Sequence, residues 1–324
     1  MARCEDSPQP ARSIGAIVNW ARDKEGQWRD LKGRPVSAWY RGTARTQYKL
    51  QPSFYRSLNG THCDNEQSLF IGFRIRGRAF RDRPLTSLWE PYYLAQHYGM
   101  PTRLLDWTRG VLVAAFFALE EEFRSSEFTY ERVQQLADQR VWKFHELKER
   151  GDAAQHRKPP FARPTVDLDV LRAKIEGTGD ACVWMLHAES VNEAFRGDDF
   201  VYHPRQFSSY WLPGQVNPGQ PIDILWDGKG YNNKYPIAID PELFDARMIA
   251  QRAVFTCHGA ETNSLEDLAA EHHAVRLARI AIPSDWKVVV WHQLWIAGVT
   301  RDVIFPELAS IASVLTQESW VKKP

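Results

Sequence analysis

The segment Gln96-His97-Tyr98-Gly99-Met100-Pro101-Thr102-Arg103-Leu104-Leu105-Asp106-Trp107-Thr108 constrains this chain more than any other stretch. It sets polar side chains between two stretches that must be buried. Before it, residues 85 to 98 carry Leu88, Tyr92 and Ala95 at helical spacing, with Trp89, Tyr93 and Gln96 one position on. Gly99 and Pro101 end that helix. After it, residues 111 to 119 are almost wholly apolar, which predicts a helix covered on most of its faces. A corner held between two buried helices gives its side chains fixed directions.

Arg103 and Asp106 lie three apart in a segment that reads as strand or turn. Burying either charge alone is expensive, so the two are expected to pair, and removing Asp106 would strand Arg103. Two readings of the corner stand side by side. In one, the ion pair pins the turn and Thr108 or Asp106 caps the next helix. In the other, Gln96, His97 and Arg103 face a ligand, because convergent polar groups in apolar surroundings mark a pocket.

Around this corner the chain reads as follows. Residues 1 to 12 form a loose tail, and Ser13 caps a helix carrying Ile14, Ile17, Val18 and Ala21. Ser37-Ala38-Trp39-Tyr40-Arg41-Gly42 reads as a short strand ending in a turn, with Arg41 either a surface residue before a turn glycine or a guanidinium aimed into a cleft. Residues 50 to 56 form an irregular loop packed by its aromatics. Residues 65 to 81 form a helix anchored by Leu69, Phe73, Ile75 and Phe80. Glu66 caps its first turn or pairs with one of Arg74, Arg76, Arg78, Arg81 and Arg83. Residues 120 to 180 are charged and broken by Pro159, Pro160 and Pro164, a helical excursion and loop inserted into the domain.

The second half is β-rich. Strands are expected at 181 to 186, 236 to 239 and 278 to 282, with a long loop at 213 to 227. Residues 247 to 256 hold a strand pair or a strand after a helical turn, where Gln251 interrupts the apolar positions, either as an exposed amide beside a strand or as one turned into the cleft of Arg41. Two helices surround residues 298 to 306. The fold class is α+β, a mixed, largely antiparallel sheet core with packed helices. Residues 1 to 35 supply a tail and helix, residues 36 to 310 the main domain, and residues 311 to 324 a C-terminal helix.

Net charge is +1, which gives no global footprint for nucleic acid and leaves the arginine cluster as a local basic patch. Cys4, Cys63, Cys182 and Cys257 are far apart and form no CxxC pair, so neither a zinc ribbon nor a disulfide framework is implied. No HExxH or comparable ligand set is present, so metal-dependent hydrolysis has no motif. The polar N-terminus lacks the apolar core of a signal peptide, and no run approaches the roughly 18 apolar residues of a membrane helix. A cytoplasmic protein without a membrane partner is expected.

Taken in order, Tyr40-Arg41-Gly42, Ala95-Gln96-His97-Tyr98-Gly99, the run from Pro101 through Thr108, residues 114 to 118, Gln251 with Phe255-Thr256, and residues 298 to 306 resemble the FRG domain of bacteria and their phages. The resemblance spans roughly residues 36 to 310. Ala253 departs from it where the pattern has glycine, as does the long charged segment. A weaker similarity runs to ADP-ribosyltransferases, through Arg41, then Thr108 with Ala114 and Phe117-Ala118, then Gln251.

That similarity implies an ADP-ribosyltransferase-like sheet and NAD as substrate. Arg41 would hold the NAD phosphate or ribose, and Gln251 would stand on a third strand where a glutamate is usual. Tyr40, Tyr98 or Trp107 would stack on nicotinamide. Arg41, Gln251 and His97 are then the catalytic candidates, and Arg41, Tyr40, Gln96, Arg103, Asp106, Trp107 and Thr108 the NAD-binding ones. The function implied is a toxin or phage-defence effector that modifies protein, RNA or DNA and is neutralised by an antitoxin. The alternative is a non-catalytic module that senses a nucleotide or nucleic acid, as the basic cluster and abundant aromatics suggest.

Overall fold

Strand pairing organises the molecule. Seven strands, β1 (Glu5–Asp6), β2 (Ala38–Thr43), β3 (Leu104–Thr108), β4 (Ala181–His187), β5 (Ile237–Ile239), β6 (Ala253–Cys257) and β7 (Leu277–Ile282), join in one sheet. Their spatial order is β1-β7-β4-β2-β3-β6-β5, and only β1 with β7 is parallel. The sheet belongs to a computed structural model that describes residues 4–28, 33, 36, 38–57, 63–80, 89–148, 166–203 and 233–318. The α+β, largely antiparallel architecture is the one expected. The tail is not loose: Glu5 and Asp6 pair with Ala278 and Arg279 at the sheet edge, and Ala11 is fully buried.

Thirteen α-helices lie among the described residues. They are α1 (Ile14–Gln27), α2 (Ser53–Ser57), α3 (Cys63–Arg76), α4 (Trp89–His97), α5 (Val111–Phe123), α6 (Tyr130–Lys148), α7 (Val166–Glu176), α8 (Ala188–Arg196), α9 (Ala246–Gln251), α10 (Leu265–Glu271), α11 (Lys287–Ile296), α12 (Arg301–Ile304) and α13 (Leu308–Glu318). Ser13 caps α1 by accepting from the Ala16 amide. Gly99 follows α4 with φ +79°, the left-handed conformation that stops a helix.

The period of two along each strand sorts the core. On one side of β2, β4 and β7, Ala38, Tyr40, Val183, Met185 and Ile280 meet α1, α5 and α11. On the same side of β3, β5 and β6, Leu104, Ile237, Ile239 and Phe255 meet Phe70 of α3 and Trp89, Tyr92 and Tyr93 of α4. The reverse side, with Trp39, Leu105, Trp107, Trp184 and Val254, is closed by Leu50, by Val191 of α8 and by Leu265 and Ala269 of α10. Two separate helix groups therefore share one side of the sheet.

Several sequence expectations need correction. Gly42 does not end a strand in a turn; it lies inside β2, beneath α5. A Cβ there would sit 2.0 Å from the Ala114 carbonyl oxygen and 2.4 Å from the Ala118 nitrogen. Glycine is required for the close approach of a helix, and Ala114 and Ala118, one turn apart, present the matching small face. Residues 53–57 are helical rather than irregular, with Phe54 and Tyr55 buried. The helix expected to reach residue 81 ends at Arg76 and continues as a single 3-10 turn over Gly77–Phe80.

The charged segment after residue 120 is not merely an excursion. Its helix α6 buries Val133, Leu136 and Ala137 in the same core as Val290 and Leu294 of α11. The C-terminal helix begins at Leu308, three residues before the expected boundary. The expected loop at 213 to 227, the prolines at 159, 160 and 164, and Leu88, Arg81 and Arg83 lie outside the described residues. Among the described residues no helix is long and apolar enough to cross a membrane.

Candidate functional site

β2 pairs with β4 over six residues and β3 with β6 over five, yet β2 and β3 share the single pair Tyr40↔Thr108. Beyond it the two strands part in the middle of the sheet. Where they part, a cavity of ≈ 370 Å³ opens, bounded by the two helix groups. That volume suits a small ligand.

Arg41 fills the mouth of the split. Its Nη1 donates to the Asp106 carbonyl oxygen at 2.5 Å, where no strand–strand bond is made. The same nitrogen lies 3.8 Å from the Asp106 carboxylate. Its Nε is buried, and no described residue bonds it. Burial lowers the pKa of Arg41 and the nearby Arg56 adds to that, while Asp106 opposes both.

Asp106 is the one exposed residue of β3, with its side chain 54% accessible. Gln96 Nε2 donates to its Oδ2 at 2.9 Å. The orientation of the Gln96 amide is fixed from behind, because the buried Thr102 hydroxyl donates to Gln96 Oε1 and accepts from the Leu104 amide at 3.2 Å.

The expected Arg103–Asp106 pair does not form. Side chains alternate along extended chain, so an odd separation puts them on opposite sides of the sheet. Arg103 is fully buried with Glu66, its Nε 2.6 Å from Glu66 Oε2. Tyr92 donates its hydroxyl to Glu66 Oε1, which also accepts the Arg103 amide at 3.1 Å, and Arg103 Nη1 donates to the His258 carbonyl at 2.6 Å. Burial opposes the charge on Arg103, but the Glu66 carboxylate outweighs it and holds the pKa well above the ordinary value. Arg103 is absent from the cavity lining.

The other expected site residues do converge on the cavity: Tyr40, Arg41, Gln96, His97, Asp106, Trp107, Thr108 and Gln251 all line it. Their groups differ in availability. Tyr40 donates its hydroxyl to Glu25 at 2.6 Å, and Trp107 its indole N–H to Thr256 at 3.1 Å. Thr108 donates to the Gln251 carbonyl at 2.6 Å and accepts from the Gly110 amide at 3.0 Å, so neither it nor Asp106 is the N-cap of α5, which is Gly110.

Gln251 is not on a strand. It ends α9, and its amide donates to the Ile304 carbonyl at 3.3 Å. The left-handed residue between α9 and β6 is Arg252, φ 49°, one position before the expected glycine. Burial and Arg247 lower the pKa of His97, whose Nδ1 lies 3.8 Å from Asp245. Tyr98 is 73% exposed and does not line the cavity.

Sequence reasoning missed Arg56 of α2, Lys49, Glu121 of α5 and Arg247 of α9, all of which line the cavity. No local pattern marks them; only the topology brings them together. Among the described residues no His, Cys, Asp and Glu cluster is able to hold a metal ion.

Behind β3, Trp107 donates to Thr256 Oγ1, leaving the Thr256 hydroxyl proton for His258 Nε2 at 3.1 Å. Burial, with Arg103 and Arg41 nearby, pushes His258 down to about 3. The unfolded chain therefore binds a proton that the folded one rejects between the two pKa values. Stability is expected to be full above the ordinary histidine pKa of about 6.5 and to fall by up to about 1.4 kcal/mol per pH unit below it. Urea midpoints from pH 7 to 4 check this, and His258→Asn should flatten the slope.

Residues 36–127 match the family model described as the FRG domain. No curated protein and no solved structure matches the chain. The matched stretch supplies Arg41, Gln96, His97, Asp106 and Thr108, the polar half of the cavity wall, while Arg247 and Gln251 come from outside it. The strand, corner and helix that build this wall are thus the work of an FRG domain, which the chain carries at residues 36–127.

Proposed function

We propose that the cavity binds NAD or another phosphate-bearing nucleotide, with Arg41 as its anchoring cation. The observation that carries this reading is Arg41 beside Arg56 on the cavity wall, two guanidinium groups of like charge. The setting supports it. Arg41 and Arg56 line the cavity with Asp106 and Glu121, while Lys49 and Arg247, also on its wall, pair with Asp267 and Glu307. Arg56 has no ion-pair partner among the described residues and raises the cost of charge on Arg41. A phosphate group between the two guanidinium groups would accept from both and relieve the repulsion.

The reading as an ADP-ribosyltransferase-like toxin or phage-defence effector rests on Asp106 rather than on Gln251. Departure of nicotinamide leaves positive charge on the ribose, which a carboxylate stabilises better than an amide already bonded elsewhere. Asp106 is the carboxylate that β3 presents to the cavity. The sensing reading needs the same pocket without turnover. An effector would act on a protein, RNA or DNA target and be held in check by an antitoxin.

Isothermal titration with NAD and with ADP tests the site. Both should bind, and Arg41→Ala should weaken both at least about tenfold, the value of one charge-assisted hydrogen bond. Absence of binding by the wild type would end the proposal. Nicotinamide release from NAD in the presence of lysate protein and RNA separates the effector from the sensor.

A further inference from the structure

The two contacts on the Asp106 carboxylate both fall on one oxygen. Gln96 Nε2 donates to Oδ2 at 2.9 Å, and Arg41 Nη1 approaches Oδ2 at 3.8 Å. No described residue bonds Oδ1, on a side chain that lines the cavity and is 54% exposed. An ionised carboxylate is an acceptor only, so whatever meets Oδ1 must bring a donor. Arg41 and Arg56 offer donors alone, so whatever meets them must bring an anion. One cavity thus asks for a hydroxyl and a phosphate in the same ligand, the pairing found in a sugar phosphate.

We propose that Asp106 accepts a sugar hydroxyl, so that the cavity selects nucleotides with an intact ribose diol, and that Gln96 is the positioning residue that turns Oδ1 toward it. This rests on the nucleotide-binding reading above. The role of Gln96 follows from Thr102. The Thr102 hydroxyl has one proton and gives it to Gln96 Oε1. The Gln96 amide is held with its NH2 toward Asp106, and the carboxylate is held by it in turn. Gln96 and Thr102 act through Asp106 by setting its direction.

Three probes by isothermal titration test the proposal: ADP, 2′,3′-dideoxyADP and inorganic pyrophosphate. The wild type should bind ADP at least about tenfold more tightly than the dideoxy analogue, as expected for a hydroxyl-to-carboxylate bond. In Asp106→Ala that ratio should fall toward one, while pyrophosphate binds no more weakly because a negative charge has left the cavity. Gln96→Ala and Thr102→Val should lower the ratio in part, and Thr102→Ser should keep it.

Equal wild-type affinity for ADP and its dideoxy analogue, with pyrophosphate still bound, would overturn this inference and leave the nucleotide site standing. An Asp106→Ala protein that keeps the wild-type ratio would do the same. Failure of the wild type to bind any of the three would overturn both. The wild-type comparison depends on no variant folding.

Discussion

Gly42→Ala is expected to lower stability by more than about 3 kcal/mol, at or beyond the top of the usual range for overpacking. The added methyl would lie 2.0 Å from the Ala114 carbonyl oxygen and 2.4 Å from the Ala118 nitrogen. Both are backbone atoms of α5, whose inner face (Ala114, Ala115, Phe116, Ala118, Leu119) is fully buried. No rotamer change relieves such a contact, so the helix must lift from the strand and open the core beneath it. With total stabilities of about 5–15 kcal/mol, a loss of this size leaves a poorly folded protein. Gly26→Ala is the control: it sits in α1 with nothing within 4 Å of the new Cβ, and should gain up to about 1 kcal/mol from helix propensity. Urea unfolding of the two variants beside the wild type gives the comparison. A Gly42→Ala protein with wild-type stability would refute the packing account of the aromatic-Arg-Gly motif.

Glu66→Ala is the second large effect, with an expected loss of about 3–5 kcal/mol. It takes the carboxylate from the fully buried Arg103 guanidinium, and it takes the acceptor from the Tyr92 hydroxyl and the Arg103 amide. The origin of that loss is the stranded charge, not the intrinsic worth of the pair. Glu66→Leu combined with Arg103→Met should therefore recover much of the stability that either single change removes. Asp106→Ala, in contrast, should shift the urea midpoint little, because its carboxylate is half-exposed and its pairing with Arg41 is long. Were Asp106→Ala to cost as much as Glu66→Ala, the assignment of Arg103 to Glu66 would be wrong.

Local signals in the sequence carry far, then stop where partners lie across the fold. Ser13, Gly99 and the apolar run at 111 to 119 mark α1, the end of α4 and α5 because caps, stops and burial act within a few residues. The strands at 181 to 186 and 278 to 282 were equally plain, the first as a short apolar run and the second as an alternation of small and apolar residues. The cavity was legible as a set of residues but not as an arrangement. Arg103 and Asp106 were close enough in sequence to suggest a pair, while the true partner of Arg103 is 37 residues away on α3. Arg56 carried no sign of its role, because the short helix that bears it reads as loop. Lys287 is a similar case. It is wholly buried at the start of α11 against Glu122 and Thr178, both at 2.9 Å, a contact that links positions more than 100 apart.

The lone contact point between β2 and β3 bears on how this domain travels through evolution. Each of the two strands owes nearly all its ladder to a neighbour beyond residue 127, β4 for one and β6 for the other. Cut out alone, the family segment would hold two ribbons touching at one rung, too little to stand in water. It is no portable cassette: a graft into another protein would need the flanking strands, or substitutes for them, as scaffolding.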